Sequence, residues 1–463
     1  MTDARATDYR ILADRMAAEI TADLSAGRRH PGDRLPPSRD YAHAVGIAPS
    51  TASRVYAELV RRGLVVGEVG RGTFLRATPA PATGPLWVRE PEPSGLVDLE
   101  MNFSVLPEQP GMLAPALGRL QEASALMAAA LQHAPLRGTP AARAATAALM
   151  GGGSGWAPAP ETLLFAGSGR QAVAAALSAL TSPGERVGFE PLTYPLVKGT
   201  AQRLGVVPVP LAMDAEGLRP DSIAAAHRTA PLRALYVQPC LHNPLGVSMP
   251  PSRRAEVAAV LEDLGIVAVE DAVYAFLAEP ALPPLAAHAP GQVVLVDSLS
   301  KRVAPGLNLG FMSVPMALRD RVGAALRLGA WTAPGFALAA GIAWMEDGTI
   351  AALEVLKRAD ARRRHALARE LLGDGGGLVV RGDSQAYHLW LELPEGWRAE
   401  TFVAAAARRR IAVSPAAEFA VGHGHAPDAV RLALAAPLEA ELRPALERLR
   451  SLALAGPEAA VVA

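Results

Sequence analysis

Val293-Val294-Leu295-Val296-Asp297-Ser298-Leu299-Ser300-Lys301 is the stretch on which the reading of this chain turns. Its apolar, mostly β-branched start reads as a strand buried on both faces, and a lysine follows just past its end. Working outward, Ile266-Val267-Ala268-Val269 is a second such run, ending in Glu270-Asp271 with Tyr274 just beyond. A third, Ala234-Leu235-Tyr236-Val237, leads into His242-Asn243-Pro244-Leu245-Gly246. The runs recur about every thirty residues, the length of a strand plus a crossover helix. In an open α/β sheet the ends of consecutive strands face one crevice. The spacing therefore predicts that a lysine, a carboxylate with a tyrosine, and an asparagine share a single site.

The 463 residues are half apolar and carry no net charge. That length allows about three domains, of which one large α/β unit can absorb two. No apolar run reaches the ~18 residues of a membrane span, and Met1-Thr2-Asp3-Ala4-Arg5 opens no signal-peptide core. The lone cysteine, Cys240, excludes an internal disulfide, and no Cys/His spacing suggests a metal site. A reduced, cytoplasmic setting without membrane attachment is expected. Residues 1–76 hold twelve arginines against nine acids, a net of +3 that leaves −3 for the rest. So mild an asymmetry permits a nucleic-acid contact without requiring one.

Residues 1–76 read as an α+β winged helix-turn-helix. Leu12, Met16, Ile20 and Leu24 form a helical stripe. Pro31-Gly32-Asp33-Arg34-Leu35-Pro36-Pro37 is a rigid turn, Ser38 an expected N-cap for a helix Arg39–Val45, and Gly46 its stop. A helix opened by Pro49 and Ser50 buries Ala52, Val55, Tyr56 and Leu59. Leu64-Val65-Val66 and Thr73-Phe74-Leu75 then flank a glycine-rich tip as a β wing. In such a unit the second helix of the pair enters the major groove. Ser50, Thr51, Ser53 and Arg54 on it, with Arg34, Ser38 and Arg39 before it and Arg71 and Gly72 at the wing tip, are the expected DNA contacts. The same pattern by itself also suits a three-helix protein-interaction module with a solvated basic face. Residues 77–96, rich in Pro and Ala, read as a semi-rigid linker. From residue 97 to about 455, apolar strands alternate with helices, which predicts a mostly parallel, doubly wound sheet. A smaller α+β tail is expected at about 350–455.

The crevice has the parts needed to hold pyridoxal 5′-phosphate (PLP). Lys301 supplies the amine for a Schiff base, and Asp271 a carboxylate to keep the ring nitrogen protonated. Asn243 and Tyr274 suit the phenolic oxygen. Gly167, Ser168 and Gly169, between the apolar Leu163-Leu164-Phe165 and a predicted helix, form a small-residue turn for the phosphate, and Ser298 adds a hydroxyl. Tyr194 is a candidate for stacking on the ring and Arg431 for binding a carboxylate.

Pro31–Arg39, Gly46–Thr51 and Gly70–Phe74 together resemble the winged helix of GntR-type regulators. Val293–Gly310, with Asn243–Gly246 and the Asp271/Tyr274 pair, is similar to the lysine region of fold-type I aminotransferases. The two joined resemble MocR-type regulators. That resemblance implies a head-to-tail homodimer that binds operator DNA and senses PLP itself, or an amino-acid or amine effector reacting with PLP on Lys301. Two alternatives stand beside it: an aminotransferase acting on an amino acid with an accessory DNA-binding module, and a dimerisation scaffold that no longer binds PLP. Two positions depart from the family. Asn308 stands where relatives carry an arginine that pairs with the cofactor phosphate, a loss worth about 1.5–3 kcal/mol. Arg302 and Arg170 are candidates to compensate. His133 stands where relatives often carry a tyrosine.

Overall fold

The computed structural model describes residues 9–25, 28–29, 32–61, 64–68, 72–75, 95–122, 124, 127–128, 131, 134–373, 377–422 and 426–462. Arg71, His133 and nearly all of the expected linker lie outside these residues.

The N-terminal unit has helices Tyr9–Ser25, Ser38–Val45 and Pro49–Arg61, followed by the antiparallel strands Val65–Glu68 and Gly72–Leu75. Leu12, Met16 and Ile20 pack against Val55, Tyr56 and Leu59, so the two apolar stripes face each other. Tyr56 Oη donates to Pro36 O at 2.6 Å, which ties the third helix to the proline turn. Ser38 differs from expectation. It lies inside its helix, behind Pro37, and makes no side-chain cap, because the proline turn already fixes the entry angle. Gly46 closes that helix with φ 70°, a conformation a side chain would resist.

The large unit is built on a seven-stranded sheet in the order Leu163–Ala166, Gly310–Ser313, Val293–Ser298, Val267–Asp271, Leu232–Val237, Arg186–Phe189, Val207–Pro210. Leu232–Val237, Val267–Asp271 and Val293–Ser298 are adjacent and parallel, so their C-terminal ends do share one edge. Gly310–Ser313 runs antiparallel to both its neighbours. It follows Lys301 after a short loop, and so short a connection cannot make a parallel crossover. Every residue of Val293–Ser298 is buried, as a strand covered by helices on both faces must be.

The helix Thr349–Leu372 leads from this unit to the tail. There Val379–Arg381, His388–Glu392, Ala429–Ala433 and Ser414–Pro415 form an antiparallel sheet. The segment Val97–Asp98 pairs with Ile411–Ala412, so the chain entering from the N-terminal unit is stitched into the tail before it reaches the large sheet. Val97 and Leu99 share the tail's core with Phe402, Ile411 and Leu446. Asn102 and Phe103, just downstream, are thereby brought over the sheet edge.

Candidate functional site

Lys301 sits on the short helix Leu299–Arg302 that caps strand Val293–Ser298. Its Nζ donates to Asn102 O at 2.7 Å, lies 3.4 Å from the centre of the Phe103 ring and 5.2 Å from that of Tyr274. Burial in this setting pushes its amine well below the usual lysine range, and the positive charges of Arg431, Arg170 and Lys357 push the same way, against Asp271. The shift favours the neutral amine, the form that acts as a nucleophile.

Asp271 ends the neighbouring strand. Its Oδ2 accepts from Tyr236 Oη at 2.7 Å and from Gln238 Nε2 at 3.2 Å, and its Oδ1 from Val273 N at 3.3 Å. Burial nevertheless holds its pKa above the usual carboxylate value. A cationic group placed against it would relieve that burial. Asn243 Oδ1 faces Arg431 Nη1 at 3.4 Å, which orients the amide so that its Nδ2 is the group left to donate. Tyr274 Oη accepts from Asn102 Nδ2 at 3.1 Å.

Arg431, on strand Ala429–Ala433, is buried over the Phe419 ring. It donates to Ser414 Oγ at 3.0 Å and to Glu100 O, while its Nε has no hydrogen-bond partner among the described residues. None of its partners is a carboxylate. A buried guanidinium with an idle donor is an anion site in waiting, and burial lowers its pKa for the same reason.

The small-residue turn closes the far end. Ser168 caps the helix Gly169–Leu180, its Oγ accepting from Gln171 N at 3.2 Å. A Cβ on Gly169 would fall 3.2 Å from Ser298 Oγ, which places Ser298 beside the turn. A Cβ on Gly310 would lie 2.3 Å from the Ser168 carbonyl carbon, so bare glycine backbone is what lets the turn sit at the helix N-terminus. Gly167 is buried directly before it, and half-buried Tyr194 precedes the helix Pro195–Arg203. Burial raises the Tyr194 phenol, and it feels Arg170, Tyr274, Asp271 and Arg431, all residues of this site. A cradle that a Cβ would fill, a depressed lysine, a carboxylate that would gain from a cation and an arginine with an idle donor together fit PLP.

Arg302 does not compensate for Asn308. Its guanidinium is already locked by two carboxylates, Asp297 Oδ2 at 2.6 Å and Glu354. Asn308 itself is exposed. Arg170 occupies the first turn of the cradle helix.

Four contributors escaped the sequence reading. Tyr236 and Gln238 lie on and just past a strand already identified, where alternation could have pointed them at Asp271. Asn102 and His388 carry no local signal, since only the tail's folding brings them to Tyr274. His388 Nδ1 lies 3.2 Å from Asn102 Nδ2. Among the described residues no group of three or more His, Cys, Asp or Glu could hold a metal ion, and no single helix is long and apolar enough to cross a membrane.

In the N-terminal unit, Ser50, Ser53 and Arg54 are exposed on helix Pro49–Arg61, with Thr51 half-exposed at its start. Ser53 Oγ donates back to Pro49 O at 3.0 Å, leaving its lone pairs to face outward. Arg34 and Arg39 are exposed and Ser38 half-exposed. A Cβ on Gly72 would fall 2.7 Å from Arg34 Nε, so the tip-side end of the wing and the proline turn form one surface.

Residues 106–449 match the family described as Aminotransferase class I and II, and residues 12–75 match Bacterial regulatory proteins, gntR family. An uncharacterized HTH-type transcriptional regulator, YdeF of Bacillus subtilis, is 28% identical over 432 residues, spanning 91% of this chain and 90% of its own length. The HTH-type pyridoxine biosynthesis transcriptional regulator PdxR of Corynebacterium glutamicum is 26% identical over 78% of each chain. Among solved structures, LysN, an alpha-aminoadipate aminotransferase from Thermus thermophilus, superposes with a TM-score of 0.70 at 22% identity, over 79% of this chain and 94% of its own. At that identity the likeness concerns the fold. The chain belongs to the aminotransferase class I and II family, in the MocR-type arrangement that places a GntR winged helix ahead of the aminotransferase fold.

Proposed function

We propose that this protein is a DNA-binding transcription regulator that holds PLP at Lys301 and uses it to sense PLP itself or an amino compound. The observation that carries this reading is a depressed lysine amine, set among Asp271, Tyr274 and an arginine with an idle donor, in a chain that also presents a winged helix. Bound PLP supplies an aldehyde that condenses with amines and a ring that withdraws electrons.

In this reading Asp271 holds the proton on the ring nitrogen, and Asn243 and Tyr274 hold the ring oxygen. Gly167, Ser168, Gly169 and Ser298 take the phosphate, and Tyr194 covers the ring. Arg431 takes a carboxylate, which makes an amino acid the favoured class of effector over a simple amine. Arg34, Ser38, Arg39, Ser50, Thr51, Ser53, Arg54 and Gly72, with Arg71, form the operator contact. The working unit is a cytoplasmic head-to-tail homodimer.

The test is an absorption spectrum of the purified protein with added PLP, before and after borohydride. A long-wavelength band that borohydride removes, absent in Lys301→Ala, is expected. A protein that stays colourless overturns the sensing reading and leaves the domain as a scaffold.

A further inference from the structure

His388 opens strand His388–Glu392 and is fully buried. Its Nε2 lies 3.0 Å from the backbone oxygen of His242. A carbonyl only accepts, so Nε2 carries a proton. Burial pushes the ring's pKa down to about 3, with Arg431, His242 and His365 adding like charge and the His242 carbonyl opposing. At neutral pH the ring therefore has a single proton, on Nε2, and its Nδ1 is an acceptor.

The group facing Nδ1 is Asn102, and an acceptor must be met by the amide's N–H, at 3.2 Å. The second N–H on the same nitrogen reaches Tyr274 Oη at 3.1 Å. Both amide protons are thus engaged, and Asn102 Oδ1 is left buried without a hydrogen-bond partner among the described residues. That orphan is informative. Turning the amide over would let Oδ1 meet the Tyr274 hydroxyl, but it would also bring an oxygen lone pair against Nδ1 of His388. A buried carbonyl without a partner is unfavourable and calls for an explanation. The explanation is at Tyr274. With the amide held this way Tyr274 Oη accepts from the protein, and among the described residues no protein acceptor takes its proton.

We propose that His388 is a positioning residue which, through Asn102, fixes the direction of the Tyr274 hydroxyl so that its proton points to the ring oxygen of the bound ligand. The inference rests on the PLP reading and adds to it a device read from this chain's own residues. Asn102 comes from the segment entering the tail and His388 from the tail sheet, whereas Tyr274 belongs to the large unit. The direction of that one proton therefore depends on the tail being seated. Besides the hydrogen bond from Asn102, Tyr274 feels the charges of Arg431 and Asp271.

The ring oxygen carries its fullest negative charge once the bound chromophore has lost its proton. A donor at that oxygen therefore holds the pH midpoint of the colour change down. Three variants, His388→Leu, His388→Gln and Tyr274→Phe, are reconstituted with PLP and titrated by absorbance. His388→Leu is expected to raise the midpoint by about one unit, in the direction of Tyr274→Phe, the scale of a lost hydrogen bond to the charged form. His388→Gln can accept from Asn102 and donate to His242 O, and should stay near the unsubstituted protein. An unmoved midpoint in His388→Leu overturns the relay, as does a glutamine variant that shifts as far as the leucine one. A second measurement needs no cofactor. ¹⁵N-histidine spectra of the PLP-free protein should show His388 as the neutral Nε2–H form, and a proton on Nδ1 overturns the relay whether or not PLP binds. Failure of the unsubstituted protein to colour with PLP, together with the expected histidine spectrum, would sink the cofactor reading and leave the hydrogen-bond relay standing.

Discussion

The task proposed for Lys301 is one that arginine cannot perform, and the composition underlines it. Of the 45 basic residues only Lys198, Lys301 and Lys357 are lysines. A guanidinium never gives up its proton in a protein, whereas a buried amine does. Lys301→Arg should therefore be as colourless with PLP as Lys301→Ala while remaining folded, checked by absorbance beside circular dichroism; a coloured arginine variant would show that another amine holds the cofactor. Lys357 has a different duty. Fully buried, it donates to Ser104 O at 2.8 Å, Lys301 O at 3.1 Å and Val303 O at 2.6 Å, so it pins the short helix that carries Lys301. Burial lowers its pKa from 10.5 to about 8. Between those values the unfolded chain keeps a proton that the native state has shed, so the Lys357 contribution makes stability rise with pH across that window, by on the order of 3 kcal/mol. Lys357→Met should flatten the rise in urea midpoint between its two ends, and an unchanged rise would show that the amine is not depressed. Lys301 was legible because a strand and the residue just past it are local facts. Lys357 was not, because its three acceptors come from two other parts of the chain.

The cradle helix Gly169–Leu180 and the strand Gly310–Ser313 meet without room for a side chain, and this contact decides whether a phosphate can be held at the helix N-terminus. Gly310→Ala forces the Ser168–Gly169 turn to move, at about 1–3 kcal/mol of overpacking. It should weaken PLP binding tenfold or more by spectral titration while leaving the winged helix able to bind DNA. Unaltered PLP affinity would mean that the turn is not the phosphate site. At the other end of the chain, Arg54 is exposed on helix Pro49–Arg61, the element that docks in the major groove of such modules. Arg54→Ala should weaken operator binding and leave the cofactor spectrum untouched. If the contact is to a phosphate, the salt dependence of binding falls by about one counterion. An unchanged affinity would relocate the recognition surface. The three strands bearing Asn243, Asp271 and Lys301 could be ordered from sequence because apolar runs at βα spacing admit few arrangements. The helix start at Ser38 could not, since the sequence pattern of a cap is the same whether its side chain bonds or a proline turn does the work.

At the scale of the whole molecule the question is how a ligand in the crevice reaches the winged helix. Among the described residues, contacts of Arg398 and Thr401 join the N-terminal unit to the tail. Arg398 lies 3.9 Å over the Phe74 ring of the wing, and Thr401 packs so closely on Gly32 that a Cβ there would fall 2.2 Å from it. Both tail residues stand at the start of helix Ala399–Arg408, whose Phe402 shares the tail core with Val97 and Leu99. Those two lead directly to Asn102 and Phe103 at Lys301. One packed path thus runs from the amine to the wing, and the seating of the tail is the variable both sites can bias. A ligand moves such an equilibrium only through unequal affinity for its states, and the effect is reciprocal. If PLP or its amino partner changes operator affinity by some factor, operator DNA must change ligand affinity by the same factor. Arg398→Ala removes the cation from the Phe74 face without touching the crevice or the recognition helix. The expected result is a coupling factor that falls toward one, while ligand affinity without DNA and DNA affinity without ligand stay within about threefold of the parent, the scale of an exposed cation–π contact. Fluorescence-anisotropy titrations of a labelled operator, with and without saturating PLP, combined with spectral titrations of PLP, with and without operator, give all four constants. Undiminished coupling in the variant would place the communication elsewhere than through the tail.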